Sequence, residues 1–595
     1  MKSFFKYTLA TMLGVFLACT IGFFIFISSL MVIVSLGDEA PEVKSNSVLT
    51  LKLNKRIVER AEDNPWSSLD LEFKGFNFSS ELGLDQILES IEKAKSDPKI
   101  KGIYLNPSII MAGFGTVEEI RTALEDFKSS GKFIYAYAEV LDAKSYYLCS
   151  VADEIVLNPQ GSLDFNGLSG SVSFYKEALA KLGIKMDIIR HGKFKSAVEP
   201  FMTDHMSPES KEQMQKYLNS IWSELVNKIA DARKLCPTEV NKIADTNTIF
   251  EKADKLVDFG LVDTLLYKDQ VLDELARLTG STNKKGIPAI SPDKYAKTIG
   301  RTKKEYSRNR IAVIYAEGGI DMSAEGINSE KLAKTIREAR KDTMVKAIVL
   351  RINSPGGSAY GSEQVWREMK LAKENKPVVV SMGNYAASGG YYISCAASEI
   401  YAENTTITGS IGIFAQIPNA SELLTDKLGI TQDFVGTNEN SVFLPTGGLM
   451  PTLSRPMTNF ERKKLQQYIE MGYDTFISRV AEGRNMTKEE VDSIGQGRVW
   501  AAHDALGIKL IDKIGTLSNA IERAAELANI DNYRIRKLPE QEDPFALITK
   551  DISAKAQNLV LKHELGTDYQ TYTYIKNAIK QSGILTLMPY QVEIK

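Results

Sequence analysis

Asp97-Pro98-Lys99-Ile100-Lys101-Gly102-Ile103-Tyr104-Leu105 returns 245 residues later as Asp342-Thr343-Met344-Val345-Lys346-Ala347-Ile348-Val349-Leu350. The same offset pairs Tyr146-Tyr147 with Tyr391-Tyr392, and Ala152-Asp153-Glu154-Ile155 with Ala397-Ser398-Glu399-Ile400. After one inserted residue, Lys181-Leu182-Gly183-Ile184 answers Lys427-Leu428-Gly429-Ile430. An ungapped match over roughly sixty residues means that the chain builds one unit twice. Each copy has a helix at apolar helical spacing (Leu84 to Ala94; Leu332 to Ala339) and then a buried strand (Gly102 to Leu105; Ala347 to Ile352). An amphipathic helix and a second apolar strand follow (Phe133 to Ala136; Val378 to Ser381). Strands alternating with helices of this length predict an α/β fold with largely parallel sheets.

A chain of 595 residues is too long for one core. The reading is a first repeat at 46–285, a linker at 286–309, a second repeat at 310–535 and an unassigned tail at 536–595. The linker rests on Pro288, Pro292 and a basic, polar run. A net charge of -2 gives no footprint for nucleic acid. Four scattered cysteines and four scattered histidines form neither a disulfide framework nor a metal site, and no Walker-type phosphate loop occurs. No metal or cofactor is expected.

Residues 1–37 predict a cytoplasmic start and an anchor. Lys2 and Lys6 precede an uncharged run from Tyr7 to Gly37, and Asp38 and Glu39 follow. The run is 31 residues, enough to cross a bilayer core of about 30 Å. It is too long for a signal-peptide core and lacks a small-x-small cleavage site. It also continues well past Cys19, against a lipoprotein reading. Lysines before the span and acids after it place the N-terminus in the cytoplasm and the body outside it.

The second copy carries two corners that the first lacks. At Val378-Val379-Val380-Ser381-Met382-Gly383-Asn384-Tyr385-Ala386-Ala387-Ser388-Gly389-Gly390 an apolar strand runs into a turn of small residues. The apolar spacing from Tyr391 to Ile400 predicts a helix behind it, so Ser388 stands where free N–H groups can bind an oxyanion. The plain reading of Ser388 is an N-cap. In the first copy, however, Ser388-Gly389-Gly390 aligns with Ala143-Lys144-Ser145, and Ser354-Pro355-Gly356-Gly357-Ser358 with Ile109-Ile110-Met111-Ala112-Gly113. A purely structural corner should be needed twice, so the asymmetry favours chemistry at Ser388.

A serine nucleophile needs a base. His503 beside Asp504 and His205 beside Asp204 are candidates, but neighbours in sequence are not a triad. A lysine with a pKa lowered by burial can serve instead. Lys195, between Phe194 and a small apolar run, is such a candidate, although its residue type alone reads as a solvated surface group. Pro200 is expected to keep this stretch extended.

Lys195-Ser196-Ala197-Val198-Glu199-Pro200-Phe201, Asn353-Ser354-Pro355-Gly356-Gly357, Ala386-Ala387-Ser388-Gly389-Gly390-Tyr391-Tyr392 and Thr408-Gly409-Ser410-Ile411-Gly412 carry a resemblance. The chain resembles the long, tandem-domain form of the bacterial signal peptide peptidase A (SppA) family, membrane serine proteases with a Ser/Lys dyad. The resemblance implies an α/β fold of tandem ClpP/crotonase-like domains (stacked β-β-α units) after a single N-terminal transmembrane helix. It implies Ser388 as nucleophile, Lys195 as general base and acid, Ser410 orienting the lysine, and the N–H groups of Gly389 and Gly357 as oxyanion hole. The implied substrates are apolar peptides such as cleaved signal peptides. The implied setting is a homo-tetramer in the bacterial inner membrane, held through residues 7–37 with its catalytic body periplasmic. Two other readings remain: a crotonase-like acyl-CoA enzyme, disfavoured because CoA is cytoplasmic, and a non-catalytic membrane scaffold.

Overall fold

Val378, Val379 and Val380 are all fully buried, Val378 and Val380 in one apolar cluster and Val379 in another. An apolar run covered on both faces is what a central parallel strand requires. Each such side chain contributes about 1.5–3 kcal/mol of burial free energy. The computed structural model describes residues 2–37, 42–61, 81–281, 286–298, 307–321, 326–442, 455–540 and 583–588.

Two sheets carry the two repeats. The first has the order Thr264–Leu265, Glu154–Asp164, Phe133–Asp142, Ile100–Leu105, Ser47–Leu51, Ala289–Ile290, all parallel. The second runs Val499–Ala501, Ile407–Gly409, Val378–Ala387, Val345–Ser354, Arg310–Glu317, Arg534–Leu538. Glu399–Ala402 lies beside Val378–Ala387, and Lys513–Ile514 lies beside Glu399–Ala402. Only Val499–Ala501 is antiparallel to its neighbour in this second sheet.

Two expectations change. The sequence reading makes 286–309 a linker, yet Ala289–Ile290 pairs with Ser47–Leu51, and the helix Pro292–Ala296 buries Tyr295. Ile535 pairs with Ile311 in the second sheet as Ala289 pairs with Val48 in the first, within one residue of the repeat's own offset. Residues 299–306 of the linker lie outside those described. The helix expected over 391–400 ends at Ser394, and Glu399–Ala402 is a strand pairing with Val379–Met382. Its apolar residues satisfy either period, and the open edge of the sheet decides between them.

A third, antiparallel sheet ties the repeats together: Gly356–Ser358, Gly583–Leu587, Phe414–Asn419, Lys185–Arg190. Lys185–Arg190 belongs to the first repeat, and its register of Arg190 on Phe414 fixes where the following residues cross to the second. A buried ion cluster adds a second tie. Arg351 of the second repeat, fully buried, donates to Glu59 at 2.7 Å and Glu119 at 2.6 Å, both from the first.

The N-terminal helix Lys2–Gly37 is 36 residues long. Among the described residues, no helix is long and apolar enough to cross a membrane. The side chains of residues 26–37 lie outside those described.

Candidate active site

The two Gly-rich corners stand side by side because their strands do. Ser354 and Ala386 are register partners at the C-terminal ends of Val345–Ser354 and Val378–Ala387. In open parallel sheets this end is where sites form. Ala387 pairs with Gly409, so Ser388 and Ser410 each begin the turn that leaves the sheet, and the Ser388 N–H donates to the Gly409 carbonyl at 2.8 Å.

Ser388 has φ 55° and ψ −114°. A side chain at positive φ carries strain of about 1–3 kcal/mol and persists where the surroundings impose it, often at active sites. Its hydroxyl does not cap the helix Gly389–Ser394. The N-cap reading therefore fails. In the first repeat Asp142 does cap the equivalent helix, accepting from Ser145 N at 2.8 Å.

Lys195 fills the space beside Ser388. Its Nζ lies 2.7 Å from Ser388 Oγ, 2.9 Å from Ser410 Oγ and 3.0 Å from the Ser410 carbonyl. All three residues are fully buried. Burial holds the Lys195 amine well below its ordinary pKa. A neutral amine has two N–H donors and one lone pair, which matches two oxygens of Ser410 and the hydroxyl proton of Ser388.

The segment that delivers Lys195 is not extended. Ser196–Phe201 is a 3-10 helix with Pro200 inside it. Pro200 fits because its fixed φ suits this turn, whose short length demands few N–H donors. The Gln213 amide donates to Phe194 O at 3.1 Å and Ser196 Oγ at 2.7 Å, pinning the turn from the helix Pro208–Arg233. Across the repeat boundary, Phe194 N donates to Gln496 O at 3.1 Å. A Cβ on Gly497 would stand 2.7 Å from Lys195 Cβ, so only glycine admits the lysine so closely. Sequence reasoning missed Gln213, Gln496 and Gly497. Their one signal is the Gly495-Gln496-Gly497 turn, whose neighbour in space the sequence does not name.

Gly389 and Gly357 face the same corner. The Gly356 carbonyl accepts from Ile320 N, and Ser358 N donates to Ile320 O, both at 2.9 Å. The intervening Gly357 thus turns its own N–H away from Ile320, to the side on which Gly357 pairs with Thr586. Gly357 has φ +153°, and a Cβ there would lie 2.2 Å from Ile320 O. A Cβ on Gly356 would meet Gly389 N at 2.8 Å.

The histidines lie elsewhere. His205 contacts its neighbour Asp204 at 2.5 Å on the surface, and His191 pairs with Glu470 at 2.6 Å. Lys216 Nζ is 3.5 Å from Asp504, next to His503. None of these contacts involves Ser388.

The model of peptidase family S49 matches residues 126–282 and 370–531, once in each repeat. The chain belongs to peptidase family S49. The S49 chain is 34% identical over 525 residues to Protease 4 of Haemophilus influenzae, covering 86% of this chain and 83% of that protein. It is 37% identical over 468 residues to Protease 4 of Salmonella typhi, covering 76% and 74%. It is 34% identical over 529 residues to the chloroplastic serine protease SPPA of Arabidopsis thaliana, covering 87% and 74%. These relatives and the paired family match make it a serine peptidase of the tandem SppA type. The acyl-CoA and scaffold readings fall away.

Proposed function

We propose that this S49 peptidase hydrolyses apolar peptides, such as signal peptides left in a membrane, with Ser388 as nucleophile and Lys195 as base. The observation that carries the proposal is the 2.7 Å approach of Lys195 Nζ to Ser388 Oγ in a fully buried site. Neutral Lys195 takes the hydroxyl proton as Ser388 Oγ attacks a peptide carbonyl. Ser410 holds the amine by accepting its two N–H bonds. The N–H groups of Gly389 and Gly357 receive the oxyanion. Lys195 then protonates the leaving amine, and water hydrolyses the acyl-enzyme.

The test is turnover of apolar peptides by the full chain, with labelling by a fluorophosphonate. The expected result is that Ser388→Ala loses both while still melting cooperatively. Retained turnover would remove Ser388 as nucleophile. The pH profile checks the base independently. Because Lys195 works only when neutral, kcat/KM is expected to rise with pH through the lowered amine pKa and then flatten. An acid optimum would exclude a lysine base.

The proposal includes a bilayer anchor through residues 7–37, a cytoplasmic N-terminus and a periplasmic body at a bacterial inner membrane. Its support is the uncharged 31-residue run and the flanking charges. A homo-tetramer is proposed with it, supported by the exposed apolar group Leu428, Ile430, Phe434 and Val435. Expressed in bacteria, the chain is expected to stay with membranes in alkaline carbonate and to run as a tetramer in detergent. Release into the carbonate supernatant would end the anchor reading, and a detergent-stable monomer the tetramer.

A further inference from the structure

The long helices Pro208–Arg233 and Asn459–Arg484 are counterparts, 26 residues each, at an offset of 251 residues. A short helix follows each, Pro237–Ala244 and Lys488–Ile494. The offset sets Trp222 against Tyr473 and Asn241 against Asp492, and both pairs are bonded. Trp222 Nε1 donates to Asn241 Oδ1 at 2.8 Å, and the Tyr473 hydroxyl donates to Asp492 Oδ1 at 2.6 Å.

Beyond that bond the copies part. Trp222 packs on Phe165 of its own repeat, ring centroids 5.0 Å apart. Tyr473 stacks on His191 of the other repeat, at 3.8 Å and 20°. After the short helix the first copy has Ala244-Asp245-Thr246, where the second has Gly495-Gln496-Gly497. As at Ser388, the feature that only one copy carries points to the site that only one copy holds.

The Gly-Gln-Gly turn touches both halves of that site. Gln496 O accepts from Phe194 N at 3.1 Å, beside Lys195. Gly497 N donates to Ile411 O, and Arg498 O accepts from Ser410 N, both at 2.7 Å. Three successive residues therefore hold the lysine turn on one side and the Ser410 turn on the other. Gln496 stands at φ 54°, a left-handed conformation that a residue with a side chain adopts only where its surroundings impose it. The Tyr473 hydroxyl imposes it, accepting the Gln496 N–H at 3.0 Å while its own proton is committed to Asp492. Tyr473 is 3% exposed, and burial pushes its phenol pKa up, so the hydroxyl keeps that proton. One side chain thus brackets the loop His191–Lys195: the ring backs His191, and the hydroxyl holds Phe194 through Gln496. The loop presses on the same turn between them, since a Cβ on Gly192 would stand 2.4 Å from Gln496 O.

We propose that Tyr473 is a positioning residue for the reaction, setting where the lysine of the first repeat meets Ser388 and Ser410 of the second. The inference rests on the Ser388 and Lys195 reading above. Tyr473 acts through Gln496 and His191. Proton transfer needs hydrogen-bond reach, and a base carried on one repeat to a nucleophile on the other keeps that reach only while the turn between them is fixed.

The experiment measures kcat, KM and the pH profile of kcat/KM for apolar-peptide hydrolysis by the full chain in detergent, with Tm taken on the same samples. Tyr473→Phe keeps the ring on His191 and removes the hydroxyl. Its kcat is expected to fall about 10-fold at unchanged KM. The rise of kcat/KM is expected to move to higher pH, because a looser turn admits water to an amine that burial keeps neutral. Trp222→Phe loses the corresponding bond in the other copy and is expected to keep the parent's kcat and profile. A Tyr473→Phe profile that lies on the parent's overturns positioning, even if Tm and kcat fall, because a purely structural loss scales with the folded fraction alone. An equal shift in Trp222→Phe overturns it too. If Tyr473→Phe does not melt cooperatively, His191→Leu takes its place, removing the partly exposed ring from the stack. A shift to higher pH then supports the proposal, and the parent's profile overturns it. A parent whose kcat/KM does not rise with pH breaks the Lys195 reading and the proposal with it, whereas a rising parent with an unmoved variant breaks the positioning alone.

Discussion

Lys195→Met is expected to lower kcat/KM by about 10⁴-fold while the protein stays folded. Methionine is close to lysine in length and fills the same apolar channel, so the backbone turn held by Gln213 and Gln496 has no reason to move. What disappears is the lone pair 2.7 Å from Ser388 Oγ. The same variant carries a stability signature. Burial lowers the folded-state pKa of Lys195 below that of the unfolded chain. Between those two values the native state binds fewer protons than the unfolded state, so the parent gains stability as pH rises through the window. Lys195→Met lacks that group, and its Tm is expected to rise less between neutral and alkaline pH than the parent's. Full turnover in this variant would place the base elsewhere, and an unchanged pH slope of Tm would mean that Lys195 is not buried as a neutral amine.

Arg351→Met is expected to cost about 3–5 kcal/mol of stability in urea titration. Arg351 is the cation between Glu59 and Glu119, and it also donates to Ser381 Oγ at 2.9 Å. Burial already pushes the Glu59 carboxyl up from its ordinary range against the pull of Arg351. Without the guanidinium, two buried acids lose the cation between them. The loss is expected to shrink as pH falls, because Glu59, its pKa raised by burial, no longer needs the cation once protonated. Adding Glu59→Gln and Glu119→Gln is expected to recover part of it at neutral pH. Since the cluster joins the repeats, and Lys195 and Ser388 come from different repeats, activity is expected to fall together with the folded fraction. An Arg351→Met protein as stable as the parent would show that the cluster does not hold the halves together.

The sequence was legible where one local pattern answers one local need. The 245-residue offset gave the duplicated α/β unit, since equal apolar patterns bury equal faces. The two Gly-rich corners stood out because one copy has them and the other does not. Period alone misled at Tyr391 to Ile400, where both a helix and a short helix followed by a strand satisfy the apolar positions. Proline misled at Ser196–Phe201, where Pro200 is compatible with a tight turn as well as with an extended chain.

By itself the sequence determined the two repeats, the serine corner, and Lys195 as one candidate base among several. Only the tertiary structure decided which base lies at the serine. That choice depends on Arg190 pairing with Phe414 across the repeats, on the Gly497 gap that admits the lysine, and on complete burial of its amine. The tail is the clearest case of the same limit. Gly583-Ile584-Leu585-Thr586-Leu587 reads as a short apolar run with no assignable place, because a strand's partner and register are set by edges hundreds of residues away in the chain.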